Sequence, residues 1–296
     1  MSARRRRGII IDNKLYWIWL SRIEGVGSKK ILNLLNKFES VENIWNAKKE
    51  DLIKVDGIGE KIANEILNEK YRKDLTKYLE YMIKNKIDII TIEDDIYPNK
   101  LKQIYDMPAI LYVKGNKEIL NDKGVAIIGC RKNSEYGKKV ALDISYQLAK
   151  KGVNIISGLA VGIDTYAHIG SLKAKGKTIA VVGNGLDNIY PYENRKISEE
   201  IIKNGGAIIS EYVIGTKPNK LNFPARNRII SGLSDSVVVV EARRKSGTLI
   251  TVDFALEQGK DVYVVPGNIT SINSEGTNDL IKQGANILTC VEDIHI

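Results

Sequence analysis

The chain has 296 residues, 43% of them hydrophobic and 27% charged, which is enough apolar content for one large core and a smaller one, and excludes a disordered chain. Its 45 Lys and Arg against 36 Asp and Glu leave a formal charge of +9, which favours a polyanionic partner without singling one out; lysine enrichment also follows from an A·T-rich genome or from solubility. No apolar run reaches the roughly 18 residues of a membrane span, and the basic tail Arg4 to Arg7 leads only into Ile9–Ile11, so neither a spanning helix nor a signal peptide is expected and the expected compartment is the cytoplasm. Two lone cysteines, Cys130 and Cys290, and two histidines supply neither a disulfide framework nor a metal site.

In chain order, residues 1–82 read as a small all-helical domain. Leu15, Ile18, Trp19, Ile31, Leu34 and Leu35 recur at helical spacing, with no strand-like alternation. Within this domain IEGVGSKK (23–30) and VDGIGEKI (55–62) repeat one pattern of apolar residue, acid, Gly, apolar residue, Gly, polar residue and Lys. The glycines suit a tight turn between short helices that leaves backbone N–H groups and a lysine at the start of the second helix. Such repeats resemble the helix-hairpin-helix pair of DNA-binding proteins; the same glycines also serve αα turns in a module that only packs.

From residue 83 to 296 short β-branched runs alternate with amphipathic helical stretches. Strands are expected at Ile87–Thr91, Ile110–Val113, Val125–Ile128, Val153–Ile156, Thr178–Val182, Ala207–Ile209, Val237–Val240 and Val262–Val264. Helices fit between most of them, among them Tyr136–Lys151, Thr165–Lys175, Arg226–Leu233 and Thr248–Glu257. Near-continuous apolar strands separated by helices imply an α/β fold, a doubly wound, mostly parallel, Rossmann-like sheet. Ligands of such sheets bind beyond the carboxyl ends of the strands, which directs attention to the loops starting at Gly129, Ser157, Gly183, Ser210 and Glu241.

The first loop, GCRKNSEYGKK (129–139), lacks a dinucleotide fingerprint and offers Arg131, beside Gly129, as a bidentate phosphate ligand. In the second, SGLAVGIDTYAH (157–168), Asp164 is placed to cap a helix, and its spacing from His168 permits a pair without any nucleophile beside it. The third, NGLDNIYPYENR (184–195), reads as a shaped turn around Pro191. The fourth is long and interleaves Lys217, Lys220, Arg226 and Arg228 with Phe223, the mixture of charge and stacking surface that single-stranded nucleic acid requires; Phe223 reads alternatively as a core anchor of the loop. The fifth brings Ser246, Gly247 and Thr248 to a helix N-terminus suited to an anion.

Together the GCR loop, SGLAVGID, GLDNIYPYENR, ISEY, FPARNRIISGLS, KSGTLIT, and VPGN followed by EGTNDLIKQGA resemble the DprA/Smf family of bacterial DNA-processing proteins. The motifs run in unbroken order through residues 97–285 and include YPNKLKQIYDMPAILYVKGN (97–116), while the helical region occupies the place of that family's SAM-like domain. The resemblance implies an extended Rossmann-like domain that binds single-stranded DNA, forms a homodimer and loads the RecA recombinase during natural transformation, with no catalysis and no cofactor. It carries DNA-binding positions onto Arg131, Lys220 and Phe223, and further onto Arg226, Asn227 and Arg228. Two departures stand out: Cys130 replaces the usual Ser or Thr before the motif arginine, and Val161 replaces an arginine often found in SGLARGID. Some members also carry a C-terminal winged helix, which is not expected in this chain as far as Ile296.

Two other readings compete. In one, an N-glycosidase of the phosphoribohydrolase type uses Gly247, Thr248 and Glu257, although the double glycine that usually leads into that motif is Lys245-Ser246 here. In the other, the hairpins bind DNA and the Rossmann-like domain only dimerises.

Overall fold

The computed structural model describes residues 13–295, so the Arg4 to Arg7 tail lies outside the described residues. Helices α1 (13–22), α2 (Ser28–Phe38), α3 (Val41–Trp45), α4 (Lys49–Leu52), α5 (Glu60–Ile66) and α6 (Leu75–Lys84) form the N-terminal unit. The repeated motifs are the α1–α2 and α4–α5 turns. Gly25 and Gly57 both hold positive φ, 79° and 77°, a region that costs a residue with a Cβ about 1–2 kcal/mol. The turns pack on each other reciprocally: Gly25 abuts Ile62, Gly57 faces its counterpart Lys30, and Asn33 Nδ2 donates to Asp56 O at 3.1 Å.

Strands β1 (Ile87–Thr91), β2 (Ile110–Gly115), β3 (Gly124–Ile128), β4 (Asn154–Ser157), β5 (Thr178–Val181), β6 (Ala207–Ser210), β7 (Ser236–Val239), β8 (Asp261–Val264) and β9 (Asn286–Ile287) make one sheet in the order β1-β2-β6-β5-β4-β3-β7-β8-β9. The β1–β2 and β2–β6 pairs are antiparallel and all the others parallel. Helices α7 (Glu135–Lys150), α8 (Ile163–Lys173), α9 (Arg195–Lys203), α10 (Asn222–Leu233), α11 (Gly247–Glu257) and α12 (Glu275–Lys282) connect the parallel strands. Strands β3 to β7 are buried along their whole length, as a sheet covered on both faces requires.

Chain direction across the sheet reverses between β3 and β7, because β4 to β6 are added on one side of β3 and β7 and β8 on the other. The crevice outside the carboxyl ends of β3 and β7 is therefore the topological switch point. Antiparallel pairing adds a second consequence. Tyr112 of β2 lies opposite Ser210 and Thr91 of β1 opposite Ile110, so the segment 92–109 emerges at the same sheet edge as the strand-end loops.

The helical unit is built into the sheet rather than tethered to it. One apolar cluster runs from Trp17, Ile18, Leu20 and Leu34 through Ile87, Ile110 and Tyr112 to Ile201 and Ile208. Polar contacts follow the same seam: Ser21 Oγ lies 2.7 Å from Tyr112 Oη, and Ala109 N donates to Ser28 Oγ at 3.3 Å.

Candidate nucleic-acid interface

A cleft of about 600 Å³ opens at the switch point. Its walls are the loop after β3, the start of α8, Tyr190, the first turns of α10 and the entry to α11. Six cationic side chains, Arg131, Lys132, Lys220, Arg226, Arg243 and Lys245, and one carboxylate, Asp164, line it among the described residues. That imbalance, focused in a concave site, attracts anions.

Local sequence explains how each wall is held. Ser134 Oγ caps α7 by accepting from Gly137 N at 3.0 Å, and Glu241, buried at the end of β7, accepts from Ser134 N at 2.9 Å. Gly162, at φ 91°, starts α8 against the GCR loop, where a Cβ would come within 2.4 Å of Cys130 O. Arg131 is thereby presented on a fixed backbone with its side chain in solvent. Cys130 turns inward, its Sγ 3.6 Å from Glu241 Oε2, and burial followed by the Glu241 charge pushes the thiol up to about 12. The thiol at this motif position thus joins the Glu241 network, while Cys130 also borders the cleft. Val161 is exposed and does not line the cleft.

The α10 entry supplies the aromatic wall. The helix starts at Asn222, four residues before the position expected from sequence, because Pro224 falls in the first turn, where no N–H is needed. Phe223 is half-buried and stacks on Tyr190, ring centroids 5.7 Å apart and planes 27° apart, while the Arg131 guanidinium lies 5.7 Å from the Phe223 centroid. Lys220 is exposed at the rim. Phe223 therefore combines anchoring with an accessible face, and Tyr190 is a site residue that the sequence reading passed over. The available signal was an aromatic next to Pro191 in a strand-end loop. Lys132, Arg243 and Lys245 were likewise passed over, within motifs already singled out.

Arg226 forms the floor. Only 5% exposed, it donates through Nη1 to Gly158 O at 2.6 Å and to Val181 O. Burial, partly offset by Asp164 and reinforced by the positive charge of Arg131, lowers its pKa to about 10. Two mutually repelling guanidiniums at one cleft favour an anion between them. Asp164 does not cap α8 as expected: its carboxylate accepts from Ala160 N at 3.3 Å in the preceding loop, and burial pushes its pKa up against the pull of Arg226. Nor does it pair with His168, whose Nδ1 lies 2.7 Å from Thr178 Oγ1 in the core.

The fifth wall is the α11 N-terminus. Ser246 Oγ accepts from Thr248 N at 3.2 Å, and Asn227 Nδ2 reaches Gly247 O at 3.5 Å, joining the α10 and α11 entries. Arg228 is the correction. It does not line the cleft: only 5% exposed, it pairs with Glu211 at 2.5 Å and Asp106 at 3.3 Å on the other side of α10. Residues two apart on a helix point about 200° apart, so Arg226 and Arg228 cannot serve the same surface. The N-glycosidase reading also loses its carboxylate: Glu257 is the last residue of α11, about 15 Å along the axis from Gly247.

A doubly wound α/β sheet with a basic, aromatic-walled cleft at its switch point, fused to a helix-hairpin-helix tandem, defines a polyanion-binding protein. The comparisons with known proteins specify which. Residues 88–296 match the family model of the DNA recombination-mediator protein A, and residues 20–69 that of the SAM-like helix-hairpin-helix tandem. Protein Smf of Synechocystis is 39% identical over 281 residues, covering 94% of this chain and 70% of its own, and the DNA processing protein DprA of Bacillus subtilis is 42% identical over 234 residues, 79% and 78% of the two chains. The X-ray structure of DprA from Streptococcus pneumoniae superposes with a TM-score of 0.81 at 37% identity, over 94% of this chain and 96% of that one. DprA from Helicobacter pylori, described for its single-stranded DNA binding mode, gives 0.63 at 35% identity over 70% and 93%. The chain belongs to the DprA/Smf family of DNA-processing proteins.

Proposed function

We propose that the chain binds single-stranded DNA in the switch-point cleft without strong base preference and, as a cytoplasmic homodimer, delivers that strand to RecA in recombination and in natural transformation. The observation that carries the reading is the stack of Arg131, Phe223 and Tyr190 inside a ring of cations. Charge follows the phosphates while a base stacks on the ring, and neither interaction discriminates bases strongly. Support comes from the H. pylori relative, whose structure is described for its single-stranded DNA binding mode, and from the recombination-mediator family model. In this reading Arg131, Lys220, Phe223, Arg226 and Asn227, with Gly129, Ser246, Gly247 and Thr248, contact the strand, and the cleft performs no covalent chemistry.

The test is fluorescence anisotropy of a labelled single-stranded oligonucleotide across a salt series, with duplex of equal length as competitor. Parent protein is expected to prefer the single strand, and Arg131→Ala to weaken binding and to shrink the log K against log salt slope by about 0.7, the share of one phosphate. Unchanged affinity and slope in Arg131→Ala would remove the cleft from consideration. Delivery is read separately, as faster RecA filament growth on the same strand with parent protein than with the variant.

A further inference from the structure

We propose that a bound strand continues out of the cleft, over the first turns of α10, to a second nucleic-acid contact formed by Tyr105 and Lys29. The proposal rests on the single-strand reading of the cleft and extends it to the helical unit. Four observations carry it.

First, topology places both contacts at one edge. Antiparallel pairing of β1, β2 and β6 brings the segment 92–109 out beside the carboxyl ends of the parallel strands. Second, Tyr105 is 88% exposed, far beyond what packing asks of an aromatic ring, and Lys29 reaches it from the first turn of α2, Nζ 3.3 Å from its hydroxyl and 5.5 Å from its ring centroid. An exposed ring with a cation against it reproduces the pairing of Phe223 with Arg131 in the cleft. Third, the two contacts are physically joined. Arg228, one helical turn beyond the cleft-lining start of α10, donates through Nε to Asp106 O at 2.7 Å, fixing Tyr105 to that helix. At the start of α10, Leu221 is 79% exposed and Ala225 is exposed. Fourth, the nearby acids have partners: Asp56, which also faces Lys29, accepts from Asn33 Nδ2 at 3.4 Å. Arg228 pairs with both Asp106 and Glu211, and the exposed Lys102 adds a cation on the same segment. Because α2 belongs to a hairpin clamped to β2 by Ser28 and by the shared core, Lys29 holds a fixed position relative to the cleft.

The measurement compares oligothymidylates of about 4 and about 16 nucleotides, which bracket the span of one stacking site. Parent, Tyr105→Ala, Lys29→Gln and Arg131→Ala are titrated with each. Tyr105→Ala is expected to weaken the longer oligonucleotide roughly 5- to 30-fold while shifting the shorter by no more than about 2-fold. Lys29→Gln is expected to lower the salt slope of the longer one by about 0.7. Parent-like binding of the longer oligonucleotide by both variants, or equal losses at both lengths, overturns the second contact. If Arg131→Ala also binds both lengths like the parent, the cleft reading itself fails. Loss in Arg131→Ala alone defeats only the extension. Exposure of Tyr105 and Lys29→Gln as an independent variant guard against a folding defect mistaken for lost contact.

Discussion

Arg226 and Arg228 sit two positions apart in one motif and do different work. Removing Arg228 strands Glu211, which is only 14% exposed, so Arg228→Ala is expected to cost about 3 kcal/mol or more, seen as a lowered denaturation midpoint, whereas Arg131→Ala in solvent stays within about 0.5 kcal/mol of the parent. Cys130 is the matching case for reactivity. With its thiol pushed up to about 12, it is expected to resist alkylation at pH 8 in the native protein, so that only the exposed Cys290 reacts; two fast thiols per chain would contradict the inward geometry. His168 gives a pH signature. Burial first, and then the charge of Arg226, lower its pKa from 6.5 to about 3, so below pH 6.5 the unfolded chain takes up a proton that the folded chain refuses. Its contribution is fully present above pH 6.5 and is lost as pH falls toward 3, at about 1.4 kcal/mol per pH unit, and His168→Gln is expected to flatten that part of the stability curve.

At the scale of elements, local sequence governed most of what formed. Strand β1 matches the span read from its β-branched run, α7 is displaced by one residue at each end, and α11 starts one residue earlier than expected. The exceptions have physical causes. Helix α10 begins at Asn222, four residues before the expected Arg226, because Pro224 fits a first-turn position that needs no N–H. Strand β9, Asn286–Ile287, was not anticipated, since two exposed residues carry no periodicity and exist as a strand only by pairing with β8. The start of α11 is legible in Ser246-Gly247-Thr248, where Ser246 supplies the cap. Ser246→Ala, which removes the acceptor for Thr248 N, is expected to lower stability by about 1 kcal/mol and to weaken oligonucleotide binding further by loosening the α11 entry, measured by chemical denaturation and anisotropy on one sample.

For the whole molecule, the governing feature is the seam between the helical unit and the sheet. Tyr112 is fully buried beneath α1, and Ile87 and Ile110 join the same cluster. Residues 83–296 produced alone would expose this surface, and the expected outcome is a lower melting temperature and binding of a hydrophobic dye. An equal melting temperature would mean that the units are independent. For that reason removal of the helices is a poor way to ask whether the hairpins touch DNA, and point changes at Lys29 and Tyr105 ask it more cleanly. Among the described residues no helix is long and apolar enough to cross a membrane.

The sequence by itself determined the class of fold, the ordered motifs that mark the family, and the loops that meet at the ligand edge. These depend on local properties: periodicity, caps and strand-end position. Tertiary structure alone decided which arginine faces the cleft, because the choice turns on helical phase and on a distant Glu211. It alone paired Tyr190 with Phe223 across 33 positions, and it alone brought Tyr105 and Lys29 to the edge the cleft occupies. Those arrangements are set by long-range strand pairing and by a core shared between the two units, neither of which leaves a local pattern in the chain.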